Sequence, residues 1–344
     1  MSNSDPPAPE SEQALSEASE RLQDAFDRAR EGAEQGGKSK STLRTYEEEF
    51  ERFRKWCKEN SADALPAKPE TVATYLEYVR HEKDLTYPTL KKKASAINHA
   101  HKLKGHDSPT GSTAVKRYLA YRRKTEDDRP KDKSDPLLRP QLAKVLQAID
   151  EHSEDRPETA RRDRAMLMLG WICGLRRSEI AAIRYSDLER RDPDGYVLNI
   201  RRQKNDPTGK GMIKGVPRRP IVEDNDMSPA SALDKWLLTL DDQGFLSDEN
   251  FIFRGVTRWG YIKDGLTGRG LAYALQKRFN QAGLDTDDYT AHSLRSGVAT
   301  EGSQQGASVS DILRVTGHTD VRGLQPYLRS GKVFENSVFD AVCE

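Results

Sequence analysis

The chain has 344 residues, 35% of them hydrophobic and 32% charged, with a formal net charge of +1. That length favours two domains, and that composition allows a packed core beneath a heavily charged surface. With no run of about 18 apolar residues a membrane span is not expected, and the acidic N-terminus without an apolar core does not read as a secretory signal.

Three scattered cysteines, Cys57, Cys173 and Cys343, occur without a CxxC or HExxH pattern. This fits a reduced cytoplasmic protein that carries no structural metal. The near-zero net charge hides an uneven distribution. Met1 to Gly36 holds nine acids and three bases, Lys91 to Lys133 thirteen bases and five acids, and Arg201 to Arg219 seven bases and one acid. Two basic blocks in a near-neutral chain point to a polyanion partner.

Residues 1–37 are rich in Ser, Pro, Ala, Glu and Gln and read as a disordered tail, with a fraying helix around Glu12 to Arg30. Leu43, Tyr46, Phe50, Phe53 and Trp56 then recur at helical spacing, with Ser41 or Thr42 placed to cap. Pro69 opens a second helix whose Val72, Leu76 and Val79 face inward, and Pro88 a third with Leu90, Ala94 and Ile97 inward. The other face of this third helix carries Lys91, Lys92, Lys93, His99, Lys102 and Lys104. Ser112 caps a fourth, Thr113 to Lys124, with Val115, Tyr118 and Leu119 inward and Lys116, Arg117, Arg122 and Arg123 outward. Four short helices make an all-α domain over residues 38–125. Helices with one basic and one apolar face suit DNA contact. The polar stretch 126–136 reads as a linker.

A second domain spans residues 137–344. Helices are expected from Arg139-Pro140, from Pro157 through a strongly apolar end at Ile172, and from Ser178-Glu179 after a stop at Gly174. Tyr196 to Ile200 reads as a strand, with Pro217 to Val222 as its antiparallel partner across a Gly- and Lys-rich loop, Lys204 to Gly215. Helices follow over Ala230 to Leu240, Arg269 to Ala282, the segment around His292, Val309 to Val315 and a turn near Tyr327. Phe334 to Val342 closes the chain as a short amphipathic helix. The fold class is mainly α with a small antiparallel β-sheet.

The chemistry concentrates late in the chain, in Ala291-His292-Ser293-Leu294-Arg295, Gly317-His318 and Tyr327. Arg grips phosphate oxygens through a planar fork of donors, His moves protons near neutral pH, and Tyr can act as a covalent nucleophile. Earlier, Arg176 follows an apolar helix at Gly174, where a guanidinium needs an anion, and Glu179 stands three residues on. An Arg–Glu pair of purely structural purpose would look the same. Two arginines from separate elements, however, can clamp both non-bridging oxygens of one phosphate.

Taken together, Gly174-Leu175-Arg176-x-x-Glu179, His292-x-x-Arg295, Gly317-His318 and Tyr327, nine residues after His318, resemble the tyrosine recombinase (phage integrase) family in order and relative spacing. Lys204, in Arg201-Arg202-Gln203-Lys204, matches the family's β-hairpin lysine. The likeness reaches the N-terminal domain through Phe53-Arg54-Lys55-Trp56-Cys57, Pro66 to Val72, Tyr75-Leu76 and Tyr118 to Lys124, so it spans about residues 40 to 344. It implies a two-domain DNA clamp, a helical core-binding domain with a catalytic domain.

The resemblance also implies roles. Tyr327 attacks the scissile phosphorus and forms a 3′-phosphotyrosine, Arg176 and Arg295 stabilise the phosphorane charge, and Lys204 protonates the leaving 5′-oxygen. His292 and His318 handle the phenolic proton and further hydrogen bonds, and Glu179 holds Arg176. No cofactor, metal or ATP is implied. The partners are a double-stranded DNA site and a homotetramer that exchanges strands through a Holliday junction, with Phe334, Val338 and Phe339 anchoring the terminal helix on a neighbouring protomer. A cytoplasmic, nucleoid-associated location follows. DNA-contacting candidates are Lys91, Lys92, Lys93, Lys102, Lys104, Lys116, Arg117, Arg122, Arg123, Arg201 and Arg202, with base readout expected from Leu90 to Lys104 and from Arg258 and Arg269.

The chain departs from the family pattern in places. Pro326 precedes Tyr327 and disfavours helix at Gln325. Asn205 follows Lys204 where Thr is common, so Lys210 and Lys214 are rivals for the lysine role, and Tyr289 is the nearest alternative nucleophile in sequence. A type IB topoisomerase shares much of the same set, and a DNA-binding relative without catalysis would share the fold.

Overall fold

The computed structural model describes residues 38–126, 134–201, 211–221, 228–318 and 320–324. The chain divides into two compact units, Met1–Lys131 and Asp132–Glu344. Both are mainly helical, and the second adds small antiparallel sheets. No helix among the described residues is long and apolar enough to cross a membrane. The expected N-terminal tail, Arg202, Lys204, Lys210, Tyr327 and the closing helix lie outside the described residues.

In the first unit, α1 (Lys40–Glu59), α2 (Pro69–Lys83), α3 (Tyr87–Leu103) and α4 (Thr113–Glu126) enclose one core. Phe53, Tyr75, Leu76, Leu90, Ile97 and Val115 are at its centre. The cap of α1 is Ser39, not Ser41 or Thr42: Ser39 keeps extended backbone and its Oγ accepts the Thr42 N–H at 3.3 Å. Ser112 caps α4 as expected, its Oγ accepting the Val115 N–H at 3.3 Å. His101 fastens α3 to the loop before α2. Its Nδ1 bonds the Ile97 carbonyl at 2.8 Å, and its Nε2 accepts the Ala67 N–H at 2.9 Å.

Two basic residues assigned to the outer face point inward instead. Lys93 is buried and pairs with Glu49 of α1, which also accepts from Arg52 at 2.8 Å. Arg122 is buried on α4 and reaches Glu77 of α2 at 3.3 Å, where the Tyr118 hydroxyl also donates at 2.8 Å. Helical periodicity places each of them on the boundary of the apolar stripe. A carboxylate across the interface, at Glu49 or Glu77, decides the direction.

The second unit is built around α6 (Pro157–Ile172), whose C-terminal two-thirds is buried on all sides. Around it pack α5 (Arg139–Glu151), α7 (Arg177–Ala182), α8 (Pro229–Asp242), α9 (Gly268–Gln281) and α10 (Ala291–Gln304). Asp163, buried within α6, is shared by two buried guanidiniums, Arg162 at 2.6 Å and Arg278 of α9 at 2.8 Å. The indole of Trp171 donates to the Leu137 carbonyl at 2.7 Å, and the Asp135 N–H donates to the Asp288 carbonyl at 2.7 Å. Residues 134–136, read from sequence as linker, thus pack on the second unit.

The sheet has three strands, β1 (Leu188–Arg191), β2 (Gly195–Ile200) and β3 (Met212–Pro217), all antiparallel. The partner of β2 is therefore Met212–Pro217, and not Pro217 to Val222. Ile200 pairs with Met212, Leu198 with Lys214 and Tyr196 with Val216. Cross-strand partners share a face, so Lys214 is carried into the core beside Leu198. A lysine at an inward position masked the two-residue alternation and hid this strand. A further hairpin, β4 (Arg254–Val256) with β5 (Ile262–Gly265), precedes α9. A short helix, α11 (Val309–Thr316), follows α10 and leads to the turn Val321–Gly323.

Candidate active site

Arg176 stands at the N-cap of α7, just past the end of α6. The chain turns there through Gly174 at φ +57°, a left-handed conformation that suits glycine. Glu179 makes two bonds to Arg176. Its Oε2 accepts the Arg176 backbone N–H at 2.8 Å, and its Oε1 accepts the Arg176 Nη1 at 2.6 Å. One buried carboxylate therefore caps α7 and aims the guanidinium.

Arg295 and His292 come from the first turns of α10. Thr290 caps that helix, its hydroxyl accepting the His292 N–H at 3.1 Å while the Thr290 N–H donates to the Ser293 Oγ at 2.9 Å. Arg295 is 2% exposed, and its Nη1 donates to the Gly174 carbonyl at 2.8 Å. The turn that presents Arg176 therefore also seats Arg295, which brings the two guanidiniums of the sequence motifs to one locus.

His318 follows the end of α11. Gly317 closes the helix at φ 62° and ψ 38°, and its N–H and that of His318 both reach the Leu313 carbonyl, at 2.7 and 3.2 Å. The next two carbonyls have an unusual partner. The Lys214 Nζ donates to the Arg314 carbonyl at 3.1 Å and to that of Val315. Burial above all, with Arg295 and Arg176, pushes the Lys214 ammonium down to about 8 against the opposing influence of Cys173 and Glu179. Cys173 is buried, its thiol is pushed up to about 12, and its Sγ reaches the Gly215 carbonyl at 3.6 Å. It is a packing cysteine.

Both imidazoles are pushed toward the neutral form. Burial, then the charges of Arg295, Arg176 and His292, push His318 down to about 4, against a small opposing pull from Asp320. Desolvation and the same two guanidiniums also lower His292, although the residue as a whole is exposed. Low values next to fixed positive charge are what an anion site looks like before the anion arrives.

The structure thus gathers Arg176, Glu179, His292, Arg295 and His318. Of the lysine candidates, Lys214 lies within this group, held on helix carbonyls. Tyr289 packs against Phe279 with ring centroids 6.4 Å apart, and burial together with Asp135 and Asp288 raises its pKa, the opposite of activation. Of the DNA-contact candidates, Lys91, Lys92, Lys102, Lys104, Lys116, Arg117 and Arg123 are exposed. Lys91 and Lys102 are three turns apart on α3, and Lys116 and Arg123 two turns apart on α4, so each pair shares a face. Arg201 is exposed but tied to Asp187 and to the Ser186 hydroxyl at 2.7 Å. Arg258 stacks on Trp259 at 4.1 Å in the β4–β5 hairpin.

Residues 137–332 match the phage integrase family, more than half of the chain and a span that includes Lys204 and Tyr327. Over 307 residues the chain is 28% identical to the integrase/recombinase xerD homolog of Selenomonas ruminantium, covering 88% of this chain and 85% of that one. It is 25% identical over 289 residues to the recombinase cre of Escherichia phage P1, covering 80% of each. The fold is similar to that of lambda integrase, solved as a tetramer bound to a Holliday junction, with a TM-score of 0.55 at 18% identity over 87% of this chain and 77% of that one. The chain belongs to the phage integrase family of tyrosine recombinases.

Proposed function

We propose that the protein cuts and rejoins double-stranded DNA at a specific site through a covalent 3′-phosphotyrosine, without metal or ATP. Tyr327 Oη attacks the scissile phosphorus, the bond from phosphorus to the 5′-oxygen breaks, and Lys204 gives that oxygen its proton. Between them His292 and His318, both pushed toward the neutral form, handle the phenolic proton and further hydrogen bonds to the phosphate, one ring taking the proton. Arg176 and Arg295 bear on the two non-bridging oxygens, where negative charge grows in the phosphorane. Glu179 keeps Arg176 aimed. One phosphorus–oxygen bond replaces another, so the bond energy is retained for religation.

The observation that carries this reading is the convergence of Arg176 and Arg295 on the Gly174 turn beside two imidazoles pushed toward the neutral form. The helical unit, with Lys91, Lys92, Lys102, Lys104, Lys116, Arg117 and Arg123, would grip the flanking duplex. By likeness to the lambda integrase tetramer on a Holliday junction, four protomers would exchange strands in two steps.

The test is a nicked suicide duplex carrying the target site. The wild type is expected to form a covalent adduct, and Tyr327→Phe to bind the duplex without forming one. An adduct that persists in Tyr327→Phe would move the nucleophile elsewhere. Relaxation of plasmids that lack the site would instead favour a topoisomerase.

A further inference from the structure

The end of α11 is held from outside the helix. A helix leaves its last four carbonyls without partners in its own ladder. In α11 the Gly317 and His318 N–H groups take the Leu313 carbonyl, and the next two, of Arg314 and Val315, accept from the Lys214 Nζ. The helix has little else to fix it. Its eight residues are too few to hold themselves in water, and its apolar contact is a small cluster of Ile312 with Ala299 and Leu324, edged by Leu313. The Val315 carbonyl has a second neighbour. A Cβ at Gly174 would lie 3.1 Å from its oxygen and 3.4 Å from the Thr316 Cα, so the bare turn rests directly on the last turn of α11. That turn presents Arg176, and its carbonyl seats Arg295. β3 is tied to the same place, since the Cys173 Sγ lies 3.6 Å from the Gly215 carbonyl. Lys214, the last turn of α11 and the Gly174 turn therefore meet at one joint, and the chain leaves it at His318.

We propose that Lys214 is a positioning residue, a pin from β3 into the last turn of α11 that holds His318 in register with Arg176 and Arg295. Leu198, its buried partner on β2, shows that an apolar side chain would suit this inward position. A buried ammonium is costly to keep, and the two carbonyls it satisfies are something an apolar residue could not supply. The consequence for catalysis rests on the strand-transfer reading above. Lys214 is then not the donor to the leaving 5′-oxygen, because two of its three protons are committed to carbonyls. Its part is placement, so that His318 and the two guanidiniums bear on one phosphate. The charged groups acting on the ammonium are Cys173 at the end of α6, Arg176 and Glu179 of α7, and Arg295 of α10. A phosphate between the two arginines offsets the charges that oppose the ammonium, so a bound duplex tightens the pin.

The experiment uses the full chain. Backbone hydrogen exchange of the free protein, read by mass spectrometry, reports on residues 309–318 directly. Lys214→Met, close in length but without the ammonium, should speed exchange there about tenfold and leave the buried part of α6 protected. Lys214→Arg, which keeps a cation with donors for both carbonyls, should stay nearer the wild type. On the suicide duplex, Lys214→Met should bind as the wild type does but form the adduct about ten- to a hundredfold more slowly, the scale of a small misplacement in a site. A scissile phosphate with sulfur in place of the 5′-oxygen separates placement from proton donation, since a thiolate leaves without a proton. The sulfur should restore Lys204→Ala and leave Lys214→Met slow. A Lys214→Met restored by sulfur would make Lys214 the leaving-group acid and overturn the proposal, as would unchanged exchange over residues 309–318. If Lys214→Met loses its fold altogether, Lys214→Gln, which keeps a donor for one carbonyl, is judged by the same two readings. A wild type that forms no adduct would sink the strand-transfer reading, and the exchange data would still decide whether Lys214 pins α11.

Discussion

Arg295 illustrates how much one residue type can matter. It is buried, donates to the Gly174 carbonyl, and lies at the locus where the phosphate is proposed to sit. Lysine supplies the charge but not the fork, and cannot both hold the carbonyl and span a phosphate. Arg295→Lys and Arg176→Ala are each expected to lower the adduct rate about 10²-fold or more, on the scale of losing a key transition-state donor. Rates within a few-fold of wild type would remove these guanidiniums from the chemistry. Lys214 gives a prediction about stability. Its pKa is pushed down from 10.5 to about 8 in the fold. Between those pH values the unfolded chain binds a proton that the folded chain does not, so folding stability rises with pH through the window. Denaturant titrations should show the wild type gaining on Lys214→Met between about pH 8 and 10.5. A constant difference across that range would show that the amine is not desolvated. Both arginines and both histidines were legible as motifs. The direction of Lys214 was not, because it depends on the pairing of β3 with β2.

At the scale of elements, the join of α1 to α3 rests partly on Glu49 and Lys93, whose side chains are each 7% exposed. A buried pair contributes little against an apolar replacement, but breaking it strands a charge. Glu49→Leu alone is therefore expected to cost about 3–5 kcal/mol, and Glu49→Leu with Lys93→Met to recover most of that loss. Urea unfolding of the two variants decides, and equal losses would mean that the pair is not coupled. The helix starts at Pro69, Pro88 and Pro157 were readable because proline suits the first turn and blocks what precedes it. The start of α1 was misplaced by two or three residues, since Ser39, Ser41 and Thr42 are alike as caps and backbone conformation chooses among them. β3 was misplaced because Lys214 and Gly215 interrupt its apolar alternation.

At the scale of the whole molecule, the charge sum of +1 conceals basic faces on α3 and α4. If these faces and the arginine locus hold a duplex, counterions leave as phosphates are neutralised, and binding must weaken steeply with salt. A fluorescence titration between about 50 and 200 mM salt should show a fall of two orders of magnitude or more. Binding that hardly changes would count against the DNA reading. Lys91→Glu with Lys102→Glu should reduce the salt slope, whereas Lys93→Met should leave it unaltered, because Lys93 already has its partner in Glu49.

By itself the sequence determined the helical class, the order of the elements and the identity of the reactive groups. These follow from local periodicity, proline placement and motif spacing, all short-range properties of a chain. Only the tertiary structure decided which cations remain free for a polyanion, since Lys93 and Arg122 are claimed by carboxylates on other helices. It also decided that Lys214 caps α11 from another element and that the Gly174 turn seats both arginines.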